Sequence, residues 1–414
     1  MKVLALALAD EAQRFVKGYP PKGARFLLHP NLEICRLASM MTADDDLRYL
    51  DERVETLEPE GTEDIVLCHV SLTQEDPARQ LAARLGSVQP IVFFGPQATV
   101  WGDKPPDWVA HYVVGDITSV WPEIRSDAQK RVFKPEYRAG GKPGYIMPRQ
   151  GMSCNPELLP HYQGISFVRG CFCPDAARAY CPEYLYYGTN HYVRTPEEIV
   201  GEVISLPGKR IRLLDDDVAR FPDYYYGLFQ TLWNYRRQWI VNASDQLFEQ
   251  PRLIRLLAKA GVRIIFLNES FLGDRLERAQ TDDRTVKSLY RRVKSIQAAK
   301  MLVGARVTIR INHGGSTDFE PVASVLRRID LDLIDLRFAE TGPDGADRLS
   351  RVTYSPMVSN HEPGHIKNRF YAMEAIVDRL ARRPRRVGFY TTAVYLLPWS
   401  MAYRQNFLEG LPYP

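Results

Sequence analysis

Cysteine is scarce in this 414-residue sequence, at six residues, and neither charge sign dominates: 54 basic against 50 acidic side chains leave a formal net charge of +4. So few cysteines in so long a chain exclude a disulfide scaffold. The charge balance makes no case for a nucleic-acid footprint. No apolar stretch approaches the ~18 residues that span a bilayer. The start, MKVLALALADEAQRF, has one lysine and a short apolar run, and no small-residue cleavage site follows. It reads as a buried first strand of a cytoplasmic protein rather than an export signal. A GxGxxG is absent, and with it a nicotinamide or flavin fingerprint.

What is present is a folded composition, 45% hydrophobic and 25% charged, with material for a sizeable core. At roughly 100–200 residues per domain the length predicts two or three domains. Residues 2–8, 64–70 and 90–94 are apolar runs bounded by polar or turn residues, and read as buried parallel strands. Asp76–Leu85 between them is helical in pattern. Such alternation predicts an open α/β sheet whose ligands sit beyond the carboxyl ends of the strands. The loops there carry Ser71, Thr73 and Gln74, then Gly95, Pro96, Gln97, Ala98 and Thr99, then Gly115, Asp116 and Thr118. Small and hydroxyl residues let a large ligand approach closely; the same residues also make ordinary turns and helix caps.

Residues 124–163 are charged and then rich in glycine and proline, a connecting segment without periodicity. From Gly164 the pattern restarts, with strands expected at 165–168, 211–214, 239–242, 262–267, 307–311 and 334–338. Helices are expected at 197–206, 224–236, 250–260 and 285–302, the first announced by Thr195-Pro196-Glu197-Glu198 as a capping box. Six repeats are too few for an eight-stranded barrel and suit an open (β/α)6 barrel. Arg306 and Arg310 share a face of the fifth strand, and His313 precedes two glycines. In the tail, a helical run at 368–381 and an aromatic end read as a cap. The histidines His361 and His365 bracket Pro363 and Gly364, which exclude the helical spacing of a zincin motif.

The cysteines are unevenly placed. Cys35, Cys68 and Cys154 are scattered, while Cys171, Cys173 and Cys181 fall within eleven residues. A tight group points to metal or redox chemistry; a zinc site with His191 is compatible, although the spacing fits no common zinc pattern.

Several stretches of the sequence resemble one family. DIVLCHVSLTQEDPARQLAARL, PIVFFGPQAT and HYVVGDITSVWPEI are similar to the cobalamin-binding domain that precedes many radical S-adenosylmethionine (SAM) enzymes. Phe94, Gln97 and Asp116 depart from its glycine, histidine and glutamate, and the DxHxxG motif that supplies a histidine to cobalt in other cobalamin proteins is missing. Arg169-Gly170-Cys171 and Tyr180-Cys181 followed by Tyr187-Gly188 resemble the family's cluster loop, whose CxxxCxxC binds three irons of a [4Fe–4S] cluster. Here the spacing is Cys171-x-Cys173-x7-Cys181, which leaves the middle ligand the least secure. Soft thiolates from one loop suit such a cluster. Downstream, residues 213–217, 239–244 and 267–270 resemble the family's next strand ends.

The resemblance implies a Rossmann-like cobalamin domain over 1–128, a linker over 129–163, a partial radical-SAM barrel over 164–345 and a mainly helical cap over 346–414. It implies cobalamin at the first-domain loops, and SAM at Asp215, Asp216, Asn242, Ser244, Glu269 and Arg310. The activity implied is methylation at carbon of a small molecule of secondary, cofactor or pigment metabolism, by a 5′-deoxyadenosyl radical and methylcobalamin. Electrons would come from a flavodoxin or ferredoxin. Ring formation, rearrangement and polar methyl transfer stay open, as does a non-catalytic partner or sensor that kept the fold. No general acid or base stands out.

Overall fold

Strict alternation along the first strand, β1 (Lys2–Ala7), sets the first sheet: Val3, Ala5 and Ala7 pack into the core on one face, Leu4 and Leu6 into the core on the other. The computed structural model describes residues 1–9, 29–52, 61–72, 74–140, 146–150, 162–170, 182–187, 191–311, 319–341, 347–349 and 364–408. It divides into two compact units, one ending at Pro207 and the other beginning at Gly208.

In the first unit, β1 is followed by α1 (Leu32–Ser39), β2 (Asp46–Asp51), β3 (Ile65–His69), α2 (Glu75–Leu85), β4 (Ile91–Phe94), α3 (Pro96–Trp101), β5 (His111–Val114), α4 (Ile117–Lys130) and β6 (Glu136–Arg138). The six strands pair in parallel in the order β2-β1-β3-β4-β5-β6. Burial on both faces is why β3 and β4 read as uninterrupted apolar runs. The expected helix at 76–85 is present. Two elements differ from expectation: Pro96 starts a helix at once after Gly95, and β6 extends the sheet into the stretch read as connecting. Charged β2, flanked by α1, carries no apolar run from which to see it.

The first unit continues through β7 (Gln163–Ile165), β8 (Val168–Arg169), α5 (Pro182–Tyr187), β9 (Tyr192–Val193) and α6 (Pro196–Ser205). Both halves of the Thr195–Glu198 capping box form at the start of α6. Antiparallel pairing of β8 with β9 closes the root of the cysteine segment. Cys171, Cys173, Cys181 and Cys154 lie outside the described residues. Cys35 and Cys68 are buried in the first unit, where burial pushes the Cys68 thiol up; both serve packing.

The second unit alternates β10 (Arg210–Leu213), α7 (Pro222–Leu232), β11 (Gln238–Ala243), α8 (Pro251–Lys259), β12 (Val262–Leu267), α9 (Arg275–Thr281), α10 (Asp283–Ala298), β13 (Leu302–Ile311), α11 (Glu320–Arg328) and β14 (Leu333–Thr341). β10 to β14 pair in parallel in chain order, and β15 (Asp347–Leu349) adds antiparallel to β14. The expected tail helix is two: α12 (Gly364–Phe370) ends before Tyr371, and α13 (Met373–Arg382) restarts after it. The break lets Tyr371 turn inward, where its hydroxyl bridges the amide and carbonyl of Ile334 at 2.8 and 2.9 Å. In the final helix, α14 (Leu397–Leu408), Trp399 lies 5.5 Å from the Phe266 ring, ring centre to centre. Gly304 makes room for that ring, since a Cβ there would come within 2.4 Å of it. Beneath the sheet, Arg383 and Asp332 are fully buried and paired, and Asp330 accepts from Arg383, Arg386 and Lys294.

Among the described residues no helix is long and apolar enough to cross a membrane.

Candidate active site

The order β2-β1-β3-β4-β5 places a switch point between β1 and β3, where chain connections leave in opposite directions; in sheets of this kind the ligand crevice lies there, at the carboxyl ends. Gln74 latches that point. Its amide donates to the Leu8 carbonyl at 2.8 Å after β1 and accepts from the Ser71 amide at 2.9 Å after β3. Gly95 ends β4 at φ +109°, and a Cβ there would sit 2.8 Å from the Val70 carbonyl. Gly115 ends β5 at φ +91°, with Ala139 at 2.9 Å from the same imagined atom. Only glycine fits either place. The backbone is thus drawn in at successive strand ends, leaving them without side chains.

The expected polar residues of this crevice are brought together, but largely hold one another. Thr99 donates to the Gly95 carbonyl and accepts from the Gly115 amide at 3.1 and 3.0 Å. Gln97, at the start of α3 with Pro96 and buried Ala98, donates to Glu75 at 3.2 Å. Asp116 caps α4 by accepting from the amide and hydroxyl of Thr118. Its other oxygen accepts from Arg36 at 2.7 Å in a nearly buried pair. Thr73 lies outside the described residues. These side chains hold the strand ends in place.

Beside them is a cluster the strand-end reading passed over. His69, the last residue of β3, is buried with Nε2 3.6 Å from Oε2 of Glu33 in the first turn of α1. Tyr186 of α5 donates to the same oxygen at 3.0 Å. Burial alone would raise the Glu33 carboxyl, but His69, then Arg169 and Arg36, hold it below the ordinary carboxylate value. Burial, and then Glu33, push the Tyr186 phenol well above its usual range. A histidine near the end of the apolar run DIVLCHV was the available signal; Glu33 and Tyr186 had none, being 36 and 117 residues away.

The flanks of the cysteine segment are therefore anchored. Tyr186 ties its downstream flank to Glu33, and α5 packs on α3. At the root, Arg194 donates to the Ser166 carbonyl at 2.7 Å and pairs with Glu202 at 2.7 Å, both side chains almost completely buried. His191, just before β9, is exposed.

In the second unit the expected residues again gather at strand ends. Buried Asp215, after β10, accepts from the Tyr225 hydroxyl at 2.7 Å, and its carbonyl accepts from Asn242 of β11 at 2.9 Å. Burial, then Asp215, raise the Tyr225 phenol. Ser244 is buried and its hydroxyl accepts from the Gln246 amide at 3.3 Å. The carboxylate that joins the two strand ends is Asp217: it accepts from the amides of Ser244 and Ala219, each at 2.8 Å. Asp216 and Glu269 are exposed at neighbouring ends. Arg310 lies near the carboxyl end of β13, while His313 is outside the described residues. Arg306 pairs across to Asp335 of β14 at 3.5 Å. His361 is outside the described residues, and His365, in α12, meets Glu320 at 2.7 Å.

No protein-family model matches the chain. A curated relative, the bacteriochlorophyllide d C-12(1)-methyltransferase of Chlorobaculum tepidum, is 23% identical over 287 residues, which cover 64% of this chain and 63% of that protein. The chain thus spans less than two thirds of that relative's length. The radical S-adenosylmethionine methyltransferase TsrM from Kitasatospora setae, with cobalamin and a [4Fe–4S] cluster bound, superposes with a TM-score of 0.55 at 12% identity, over 82% of this chain and 75% of TsrM. With tryptophan substrate and a SAM analogue bound, TsrM gives 0.56 at 12% identity, over 81% and 72%. The cobalamin-dependent S-adenosylmethionine radical enzyme OxsB with aqua-cobalamin bound gives 0.50 at 12% identity, over 91% and 56%. The α/β fold of this chain is that of the cobalamin-dependent radical SAM enzymes.

Proposed function

We propose that the chain is a cobalamin-dependent radical SAM methyltransferase acting on a small molecule. The observation that carries this reading is the joining of two features in one unit. Strand ends closed by Gly95 and Gly115, on β4 and β5 beside a β1/β3 switch point, belong to the same unit as the anchored flanks of a three-cysteine segment. When bound, the [4Fe–4S] cluster and SAM supply radical chemistry and cobalamin supplies a methyl group.

The chain's own part is binding and orientation. Gly95 and Gly115 let a broad ligand meet backbone, while Gln74, Thr99 and Asp116 keep those strand ends in place. Cys171, Cys173 and Cys181 are assigned as cluster ligands, and Asp215, Asp216, Asn242, Ser244, Glu269 and Arg310 as the SAM-facing set. Asp215, Asn242 and Ser244 suit that role through their placement at adjacent barrel-type strand ends. The division at 1–128, 129–163, 164–345 and 346–414, and a flavodoxin or ferredoxin as electron donor, belong to the same proposal.

Anaerobic reconstitution with iron and sulfide tests it. The parent should gain the broad absorption of a [4Fe–4S] cluster, and Cys171→Ala and Cys181→Ala should lose it. SAM with reductant should then yield 5′-deoxyadenosine or S-adenosylhomocysteine. A parent without cluster absorption, or variants that keep it, would overturn the reading; a cluster without either product would favour a binding partner.

A further inference from the structure

We propose that the amino-end face of the second unit's sheet docks on an anionic membrane surface, with Phe389 and Tyr390 entering the headgroup layer and a row of cations meeting the lipid phosphates. This surface is independent of the cofactor reading above. The row follows from the topology. Lys209, Arg236, Lys259 and Lys300 come just ahead of β10, β11, β12 and β13, four neighbouring parallel strands, and all four are exposed. At ~4.8 Å per strand the row is about 15 Å long. None of the four has an acidic partner among the described residues: Lys259 lies over the Trp233 ring, and Lys300 donates from Nζ to the Arg386 carbonyl at 2.7 Å. That last bond brings exposed Arg385, in the helical turn Pro384–Val387, to the same end. The acids that meet the neighbouring arginines are Asp330 and Asp332, both nearly buried, and Asp378, which pairs with Arg382. Arg236 and Lys300 stand at left-handed turns, φ +50° and +68°, where glycine is the least strained residue. The turn before β12 uses Gly261 at +95°.

Aromatic side chains stand among these cations. Phe389 is 77% exposed and Tyr390 52%, both presented by a left-handed turn at Gly388. The Tyr390 hydroxyl accepts from Nε2 of Gln238, the first residue of β11, at 3.0 Å, which fixes the aromatic pair at the strand starts. Trp233 and Tyr235, 48% and 37% exposed, lie in the turn that ends at Arg236. Helix carboxyl termini favour cations, which accounts for the sign of the row but not for the aromatic tips beside it. Aromatic rings interleaved with lysine and arginine are the composition of a bilayer interface. There the ring sits at headgroup depth, and each cation near an anionic surface strengthens binding about fivefold. A second copy docked face to face would set the row of cations against itself; an anionic bilayer complements it. Docking in this way directs the carboxyl ends of the strands away from the bilayer.

The test floats the full chain with vesicles of phosphatidylcholine containing one-third phosphatidylglycerol, and with vesicles of phosphatidylcholine alone. The chain should rise with the anionic vesicles only, and raising KCl from about 0.05 to about 0.5 M should weaken binding more than about tenfold. This arm needs no variant. Phe389→Ser should weaken binding at least about tenfold, and Arg236→Gln with Lys259→Gln about 25-fold; these side chains are exposed, so the thermal transition should stay in place. Phe389→Trp should add fluorescence that brominated lipids in the anionic vesicles quench, which surface attraction without insertion would not produce. Folded chain that ignores anionic vesicles, binds neutral ones equally well, or binds regardless of these substitutions would overturn the proposal. Binding to poly-glutamate but not to vesicles would assign the face to an acidic protein and overturn it too, as would a dimer in sedimentation that Phe389→Ser dissociates.

Discussion

Single side chains in this protein are decided by what surrounds them. Asp330 sits in a left-handed backbone conformation at φ +63° and is nearly buried among Arg383, Arg386 and Lys294. Burial would raise its carboxyl, but Arg383 and then Lys294 bring it down to about 2. Its stabilising contribution is therefore present above the ordinary carboxylate value and is lost as pH falls towards about 2. Asp330→Asn keeps a residue that tolerates this backbone and removes only the charge. It should cost about 2 kcal/mol at neutral pH. In urea unfolding, the gap between parent and variant should narrow steadily below about pH 4; a gap independent of pH would refute the assignment. None of this was legible from Asp330 alone, whose partners lie 36, 53 and 56 residues away.

Among the elements, the root of the cysteine segment is the best-defined device. β8 and β9 are only two residues each, too short to hold by ladder bonds alone. The buried Arg194–Glu202 pair supplies the rest, reaching from the end of this ribbon to α6 and back to the Ser166 carbonyl. Removing one charge of a buried pair leaves the other uncompensated, so Glu202→Gln should cost about 3 kcal/mol. The double change Arg194→Met with Glu202→Leu should recover part of that stability. Cluster content per chain should nevertheless stay low in the double variant, because the Ser166 anchor is gone. Equal destabilisation by single and double changes would argue against the pair. The start of α6 was plain in the sequence, since a capping box is local. Its partner Arg194 was not, because an arginine beside a helix start is ordinarily solvated.

For the whole molecule, the measurable consequence is linkage. A ligand that binds only the folded state stabilises it by about 2.7 kcal/mol at a hundredfold excess over Kd. Hydroxocobalamin should therefore raise the calorimetric transition that involves the first unit, to an extent that grows with the logarithm of its concentration. An unchanged transition at saturating cobalamin would place the corrinoid elsewhere or nowhere on this chain. The two compact units make it reasonable to seek two transitions, one of them insensitive to cobalamin.

The amino-acid sequence by itself determined the α/β class, the strand-end loops and the cysteine group, because buried parallel strands, glycine turns and clustered thiols are marked within a few residues. It also carried the family likeness through short, ordered stretches. Only the tertiary structure decided which polar residues are consumed in holding the strand ends. Asp116 is paired to Arg36, Thr99 to two backbone groups, and His69 to Glu33 and, through it, to Tyr186. Those pairings join side chains from distant parts of the chain. Hydrogen bonds and charges act through space, and the sequence lists neighbours only along the backbone.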